Sequence, residues 1–67
     1  MKAYVHTKKE GVRAWIAEVV SATDYHNRGP HANSYRTKPH PLPTIARIEA
    51  EDWATRNGYT LVTAEQI

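Results

Sequence analysis

Residues 44–57, TIARIEAEDWATRN, are the one helix that the sequence predicts, and the other elements are placed relative to it. Thr44 can cap the start of this helix with its hydroxyl, and Gly58 can end it in the left-handed conformation that glycine adopts without strain. At about 100° per residue, the apolar side chains fall within roughly half of the helix circumference. The sequence therefore predicts an amphipathic helix that packs on a sheet, with Trp53 as its anchor. The apolar positions are Ile45, Ala46, Ala50, Trp53 and Ala54.

The chain on either side of this helix predicts strands. Residues 2–8 alternate strictly between two sets of side chains, which is the period of a half-buried strand. A short polar break containing a glycine then suits a hairpin into residues 12–22, the longest apolar-leaning run. Residues 34–38 predict a third strand, which three prolines end because proline cannot donate to a ladder. Residues 59–63 can add an edge strand after the helix.

These elements predict an α+β fold of order β-β-β-α-β, in which one helix packs on one face of a three- to four-stranded, mainly antiparallel sheet. At 67 residues, we expect a single domain. Residues 23–33 combine Asp, Asn, Gly and Pro and predict a long loop between the second and third strands. The helix should cover the more apolar sheet face, whose predicted core residues are Ala3, Val5, Val12, Ala14, Ile16, Tyr35 and Thr37.

Composition narrows the functional classes. The chain has no cysteine, which removes disulfides, thiol catalysis and cysteine-based zinc sites. No apolar run approaches the ~20 residues that span a bilayer. Neither a Gly-rich phosphate loop nor a catalytic triad motif is present, and the histidine spacing matches no metal site. We therefore expect a cytoplasmic, non-enzymatic protein without metal or cofactor. The four histidines are His6, His26, His31 and His40.

The charge is unevenly distributed, although the formal net charge is only +2. Residues 1–47 carry eight basic and three acidic side chains, whereas residues 48–67 carry one basic and four acidic ones. Such a dipole orients a protein in the field of a polyanion, but small soluble proteins also carry dipoles without a binding role.

The sheet face left open by the helix is the predicted binding surface. Cations interleaved with aromatic rings on a sheet can neutralise phosphates and stack on bases. In the opposite strand register, Tyr4 and Trp15 belong to the core instead, and the sequence leaves both registers open. The predicted binding residues, for nucleic acid or another partner, are Tyr4, His6, Lys8, Arg13, Trp15, Arg28, Arg36 and Lys38.

Three segments carry a family resemblance: GVRAWIAEV at residues 11–19, SYRT at 34–37 and IEAEDWA at 48–54. Together they resemble the three-stranded sheet plus helix of the arm-type DNA-binding domains of phage tyrosine integrases, and the related plant ethylene-response-factor domain. The resemblance implies a sheet in the major groove, with DNA contacts from Arg13, Trp15 and Arg36. The long loop and the strand after the helix depart from that pattern.

Two functional hypotheses follow. The first is a stand-alone accessory protein, encoded by a phage or mobile element, that binds nucleic acid through the open basic and aromatic face. The alternative is a protein-binding inhibitor or adaptor, similar to anti-CRISPR proteins in size and topology, that blocks a partner with the same face. A homodimer formed through an exposed edge strand is compatible with both hypotheses.

Overall fold

The computed structural model describes residues 1–29 and 32–67, and this part of the chain forms an α+β fold with a four-stranded mixed sheet and two helices. The sheet order is β3-β2-β1-β4; β1 and β3 run antiparallel to β2, and β4 runs parallel to β1. The elements are β1 (Lys2–Gly11), β2 (Ala14–Ser21), α1 (Ala22–Arg28), β3 (Tyr35–Arg36), α2 (Pro43–Arg56), β4 (Thr60–Leu61) and a 3₁₀ turn (Ala64–Gln66). The predicted class is confirmed, whereas α1 and the parallel pairing of β4 were not predicted.

The β1–β2 hairpin forms the centre of the sheet. Its ladder runs from Ala3 opposite Ser21 to Lys9 opposite Trp15, with a register shift before the turn. Arg13 takes a positive φ of 52° in that turn. The face assignment predicted for β1 is confirmed, because Ala3 and Val5 pack with α2, although Tyr4 on the other face is also buried.

Helix α2 packs closely on the sheet through a stripe of alanines. Ala46, Ala50 and Ala54 are fully buried, as predicted, and they form one core cluster with sheet residues that include Ala3 and Ala17. Small side chains on both surfaces allow the helix and the sheet to approach closely. Two other expectations for the helix surface are not met in full, since Ile45 is exposed and Trp53 is only half-buried.

The two ends of α2 differ in how well the sequence predicts them. The predicted cap at Thr44 is wrong: the helix begins at Pro43, and Leu42 precedes it without any side-chain cap bond. Proline suits the first helical turn because its missing N–H would have no partner there. At the other end Gly58 has a φ of 80°, as predicted.

The prediction of which β2 side chains face the helix is wrong. Ala17 and Val19 face α2, whereas Ile16, expected beneath the helix, lies on the other face with Val20. Val12, also predicted for the core, lies in the turn and is 91% exposed. A strand that is apolar on both sides gives no period-2 signal to choose between them. Of the other predicted core residues, Ala3 and Thr37 are buried, and Val5 and Tyr35 are partly buried, whereas Ala14 is partly buried on the wrong face with Ile16.

Most of the predicted loop at residues 23–33 is helical. The hydroxyl of Ser21 accepts a hydrogen bond of 3.1 Å from the N–H of Asp24 and caps α1. Gly29 ends this helix with a φ of 90°, and its N–H donates to the Tyr25 carbonyl at 2.8 Å. Pro30, part of the predicted loop, lies outside the described residues.

Strand β3 has two residues instead of the five predicted. The Thr37 hydroxyl accepts a 3.0 Å hydrogen bond from the N–H of Ala17, so a side chain replaces the backbone acceptor of a regular ladder. Strand β4 confirms the predicted edge strand in shorter form. Within residues 1–29 and 32–67, no helix has the length and apolar character needed to cross a membrane.

Candidate functional site

The sheet face opposite α2, here called the open face, carries four of the eight predicted binding residues. Even-numbered side chains of β1 and β2 point to this face, because Val5 and Val19, which form a pair, point towards α2. Helix α1 covers one end of it, where the rings of Tyr25 and Tyr4 meet edge-to-face at 6.2 Å. The open face comprises Tyr4, His6, Lys8, Glu10, Ile16, Glu18, Val20 and Arg36.

An ion pair crosses the open face from one side of the hairpin to the other. The guanidinium of Arg36, on β3, binds the carboxylate of Glu10, near the end of β1. The pair therefore spans β2 on the face that carries Ile16, which is only 2% exposed. Lys8 lies 4.0 Å from the same carboxylate oxygen. Glu10 thus offsets part of the positive charge of both cations.

A second carboxylate lies at the centre of the face. Glu18 is only 7% exposed, and both of its oxygens have partners. His6 Nε2 lies 3.2 Å from Oε1, and Asn33 Nδ2 donates to Oε2 at 3.0 Å. A buried carboxylate satisfied in this way is stable without a ligand. It also makes the middle of the open face less basic than the sequence suggested.

Tyr4 lies on the open face but is not free to stack on a ligand. It is 9% exposed and is covered by Tyr25. Burial raises the pKa of the Tyr4 hydroxyl, with smaller contributions from the neighbouring Tyr25 and Glu18. Tyr4 is therefore a packed residue, but the opposite register does not hold for β1, because Tyr4 is covered by α1 on the open face and not by α2.

Five exposed cations lie near the hairpin turn. Lys9 is on the α2 side, with its ammonium 5.9 Å from the Trp15 ring, and we call the other four the basic end: Lys8, Arg13, Arg36 and Lys38. Lys8 is opposite Ile16 on one side of β2. On the other side of β2, the N–H of Thr37 donates to the Ala17 carbonyl. Lys38, the next residue, therefore lies beside Ile16, across β2 from Lys8. All four cations are exposed, and Glu10 is the carboxylate that contacts two of them.

The remaining predicted site residues lie elsewhere. Trp15 is on the α2 side of the sheet, half-buried, and its backbone exchanges hydrogen bonds of 2.7 and 2.8 Å with His40. The expectation that it stands on the open face is wrong, because it shares the face of its ladder partner Lys9. Arg28 is the last residue of α1. This helix follows the end of β2 that is far from the hairpin turn.

Sequence reasoning missed the partners that hold these side chains. Glu10 and Glu18 were counted only as acids in a basic region, although Glu18 stands out as the one charge in an apolar strand. Asn33 reaches Glu18 from the segment after α1. The two residues are fifteen positions apart in the sequence, and no local pattern predicts such a contact. Among the described residues, no three His, Asp or Glu side chains form a group that could hold a metal ion. His31 lies outside them.

Comparisons with protein-family models, curated proteins and solved structures give no match for this chain. The resemblance to integrase arm-type domains therefore stays a prediction, and function has to be inferred from the geometry of the chain itself.

Proposed function

We propose that this protein is a non-enzymatic binding protein that recognises nucleic acid, and duplex DNA in particular, through the basic end. The observation that supports this proposal is the convergence of Lys8, Arg13, Arg36 and Lys38 around the hairpin turn. Exposed cations at such a density attract phosphates and release their counterions. The acidic residues of α2 lie on the other side of the sheet, so the charge dipole orients this end towards a polyanion.

The shape of the basic end suits a duplex. A two-stranded β-ribbon is narrow enough to enter the major groove, and the β1–β2 hairpin has this form. At its tip, Val12 is exposed and Arg13 projects from a positive-φ turn. Apolar and guanidinium groups at a ribbon tip can contact the thymine methyl and the guanine edge, while the flanking lysines contact phosphates.

The aromatic residues argue against single strands as the preferred ligand. Proteins that bind single strands use exposed rings as stacking platforms. Tyr4 is covered by Tyr25, and Trp15 is half-buried on the α2 side. Binding by charge and groove contacts alone predicts that a duplex binds more tightly than a single strand of the same length.

The experiment is fluorescence anisotropy with a labelled duplex and variants that each remove one cation. We expect Arg13→Ala and Lys38→Ala to weaken binding several-fold. Arg56→Ala is the matched control, because it changes the net charge equally at the far end of α2, where Arg56 pairs with Asp52 at 3.1 Å. Equal losses from all three variants would mean that only the net charge matters, and would contradict a site at the basic end.

A protein partner is the second candidate, and it rests on the Arg36–Glu10 ion pair together with the exposed Val12. A partly neutralised face with an apolar tip resembles the core and rim of a protein interface. An inhibitor or adaptor of this kind would bind its partner with a weak salt dependence. It would also lose most affinity when one anchor such as Val12 is replaced.

A further inference from the structure

Strand β1 has a long free edge. It has ten residues, but β4 pairs only with Lys2 and Ala3, and the last contact is the 2.9 Å bond from the N–H of Val62 to the Ala3 carbonyl. Beyond this point the N–H and C=O groups of Val5, Thr7 and Lys9 point away from β2. None of them has a backbone partner within residues 1–29 and 32–67. Such an edge is a template for another strand.

A groove lies beside the start of this free edge. It has a volume of about 580 Å³ and runs between β1, α2 and the chain that follows β4. Its apolar wall includes Val5, Leu61 and Val62, and its polar wall includes Arg47 and Glu51. An extended strand that pairs with β1 would therefore pass directly into a shaped pocket.

We propose that the occupant is a second copy of this chain, paired antiparallel through β1 about a two-fold axis at Thr7. The free residues Val5, Thr7 and Lys9 are centred on Thr7. In this arrangement Val5 of each copy is opposite Lys9 of the other, and Thr7 is opposite itself. All outward N–H and C=O groups of the three residues then find partners, and the interface is the same on both copies.

The charges of the two copies are complementary in this arrangement. Lys9 points to the α2 side, and opposite Val5 it comes next to Glu51 of the other copy, which also pairs with Arg47 of its own helix at 3.4 Å. The register shift after Lys9 bends β1 of one copy out of the shared ladder before this strand would reach β4 of the other copy.

Charge reversal tests this pairing by analytical ultracentrifugation without nucleic acid. We expect the wild type to sediment as a dimer of twice 7.6 kDa. Lys9→Glu and Glu51→Lys should each weaken dimerisation by at least about five-fold, because each replaces two attractions by two repulsions. The double variant should restore the dimer. A dimer insensitive to both single reversals would overturn the proposal.

A proline at the two-fold axis gives a second, independent test. The N–H of Thr7 points away from β2, so Thr7→Pro removes an edge donor and leaves the β1–β2 ladder intact. We expect this variant to be a monomer and the control Thr7→Val to remain a dimer. A wild type that sediments at 7.6 kDa at millimolar protein would overturn the proposal. The ultracentrifugation is run without nucleic acid, so its result is separate from nucleic-acid binding.

Discussion

Gly58 is the residue whose conformation the sequence predicts most directly. Its φ of 80° lets the chain leave α2 and return to the sheet, where the N–H of Thr60 donates to the Met1 carbonyl at 2.8 Å. No neighbouring atom would obstruct a Cβ at Gly58, so the penalty of a substitution comes from the backbone alone.

We expect Gly58→Val to lower the free energy of unfolding by more than about 1 kcal/mol, because a β-branched residue is strained at positive φ. Gly11→Ala is the matched control: Gly11 is not among the positive-φ residues, and an added Cβ would make an ordinary 3.8 Å contact with Ala14. Urea titration of both variants measures the difference. An unchanged midpoint for Gly58→Val would contradict the assigned helix end.

Tyr4 predicts a loss of stability in alkali. Burial raises the pKa of its hydroxyl above the ordinary value of 10.0, so the folded state holds the proton more tightly than the unfolded state. The resulting stabilisation is present below pH ~10 and is lost as the pH rises through the folded pKa. We expect the stability of the wild type to fall over this range more steeply than that of Tyr4→Phe. Parallel curves would contradict the assignment.

At the level of elements, α2 is held on the sheet by alanine packing and by one aromatic stack. The Trp53 ring lies parallel to Tyr35 at 4.6 Å and against Tyr59 at 5.8 Å. The stack therefore joins the helix to β3 on one side and to the residue before β4 on the other.

We expect Trp53→Ala to lower the free energy of unfolding by about 2–4 kcal/mol, somewhat less than for a fully buried tryptophan, because the ring is half-exposed. Trp53→Phe should recover part of the loss, since a smaller ring can still stack. Thermal or urea unfolding followed by circular dichroism measures both. If Trp53→Ala unfolds at the wild-type midpoint, the stack does not hold the helix.

The sequence predicts some elements well and others poorly, for physical reasons. The alanines of α2 are a strong signal because this helix has one buried side, and the alternation of β1 correctly assigns Ala3 and Val5 to that side. In β2, Ile16 and Val19 are both fully buried but on opposite faces, and only the partner elements decide which residue meets the helix. Helix α1 could have been found from Ser21 and Asp24, which have the spacing of a helix N-cap motif.

The candidate site was predictable in its charges but not in its arrangement. The eight predicted residues are separated in space because Trp15 turns to the α2 side and Tyr4 is covered by α1. What brings Arg36 next to Glu10 is the pairing of β3 with β2, a contact between distant segments. Local patterns carry no information on such contacts.

At the scale of the whole molecule, the balance of charge at the basic end controls the proposed function. Glu10 contacts Lys8 and Arg36 and competes with phosphate for both. We expect Glu10→Gln to raise the affinity for duplex DNA, because both cations are released from the carboxylate. Glu65→Gln changes the net charge equally and lies in the 3₁₀ turn after β4, so it should have little effect. Equal effects of the two variants in an anisotropy titration would contradict the proposal.

The salt dependence of binding shows whether the basic end holds nucleic acid through phosphate contacts. Anisotropy of a labelled duplex is measured from low to physiological salt, and the logarithm of the association constant is plotted against the logarithm of the salt concentration. Four phosphate contacts, from Lys8, Arg13, Arg36 and Lys38, predict a slope of about −3 to −4, and removal of one of these cations should reduce it by about one. No binding at micromolar protein in low salt, or a slope near zero, would contradict nucleic-acid recognition by the basic end.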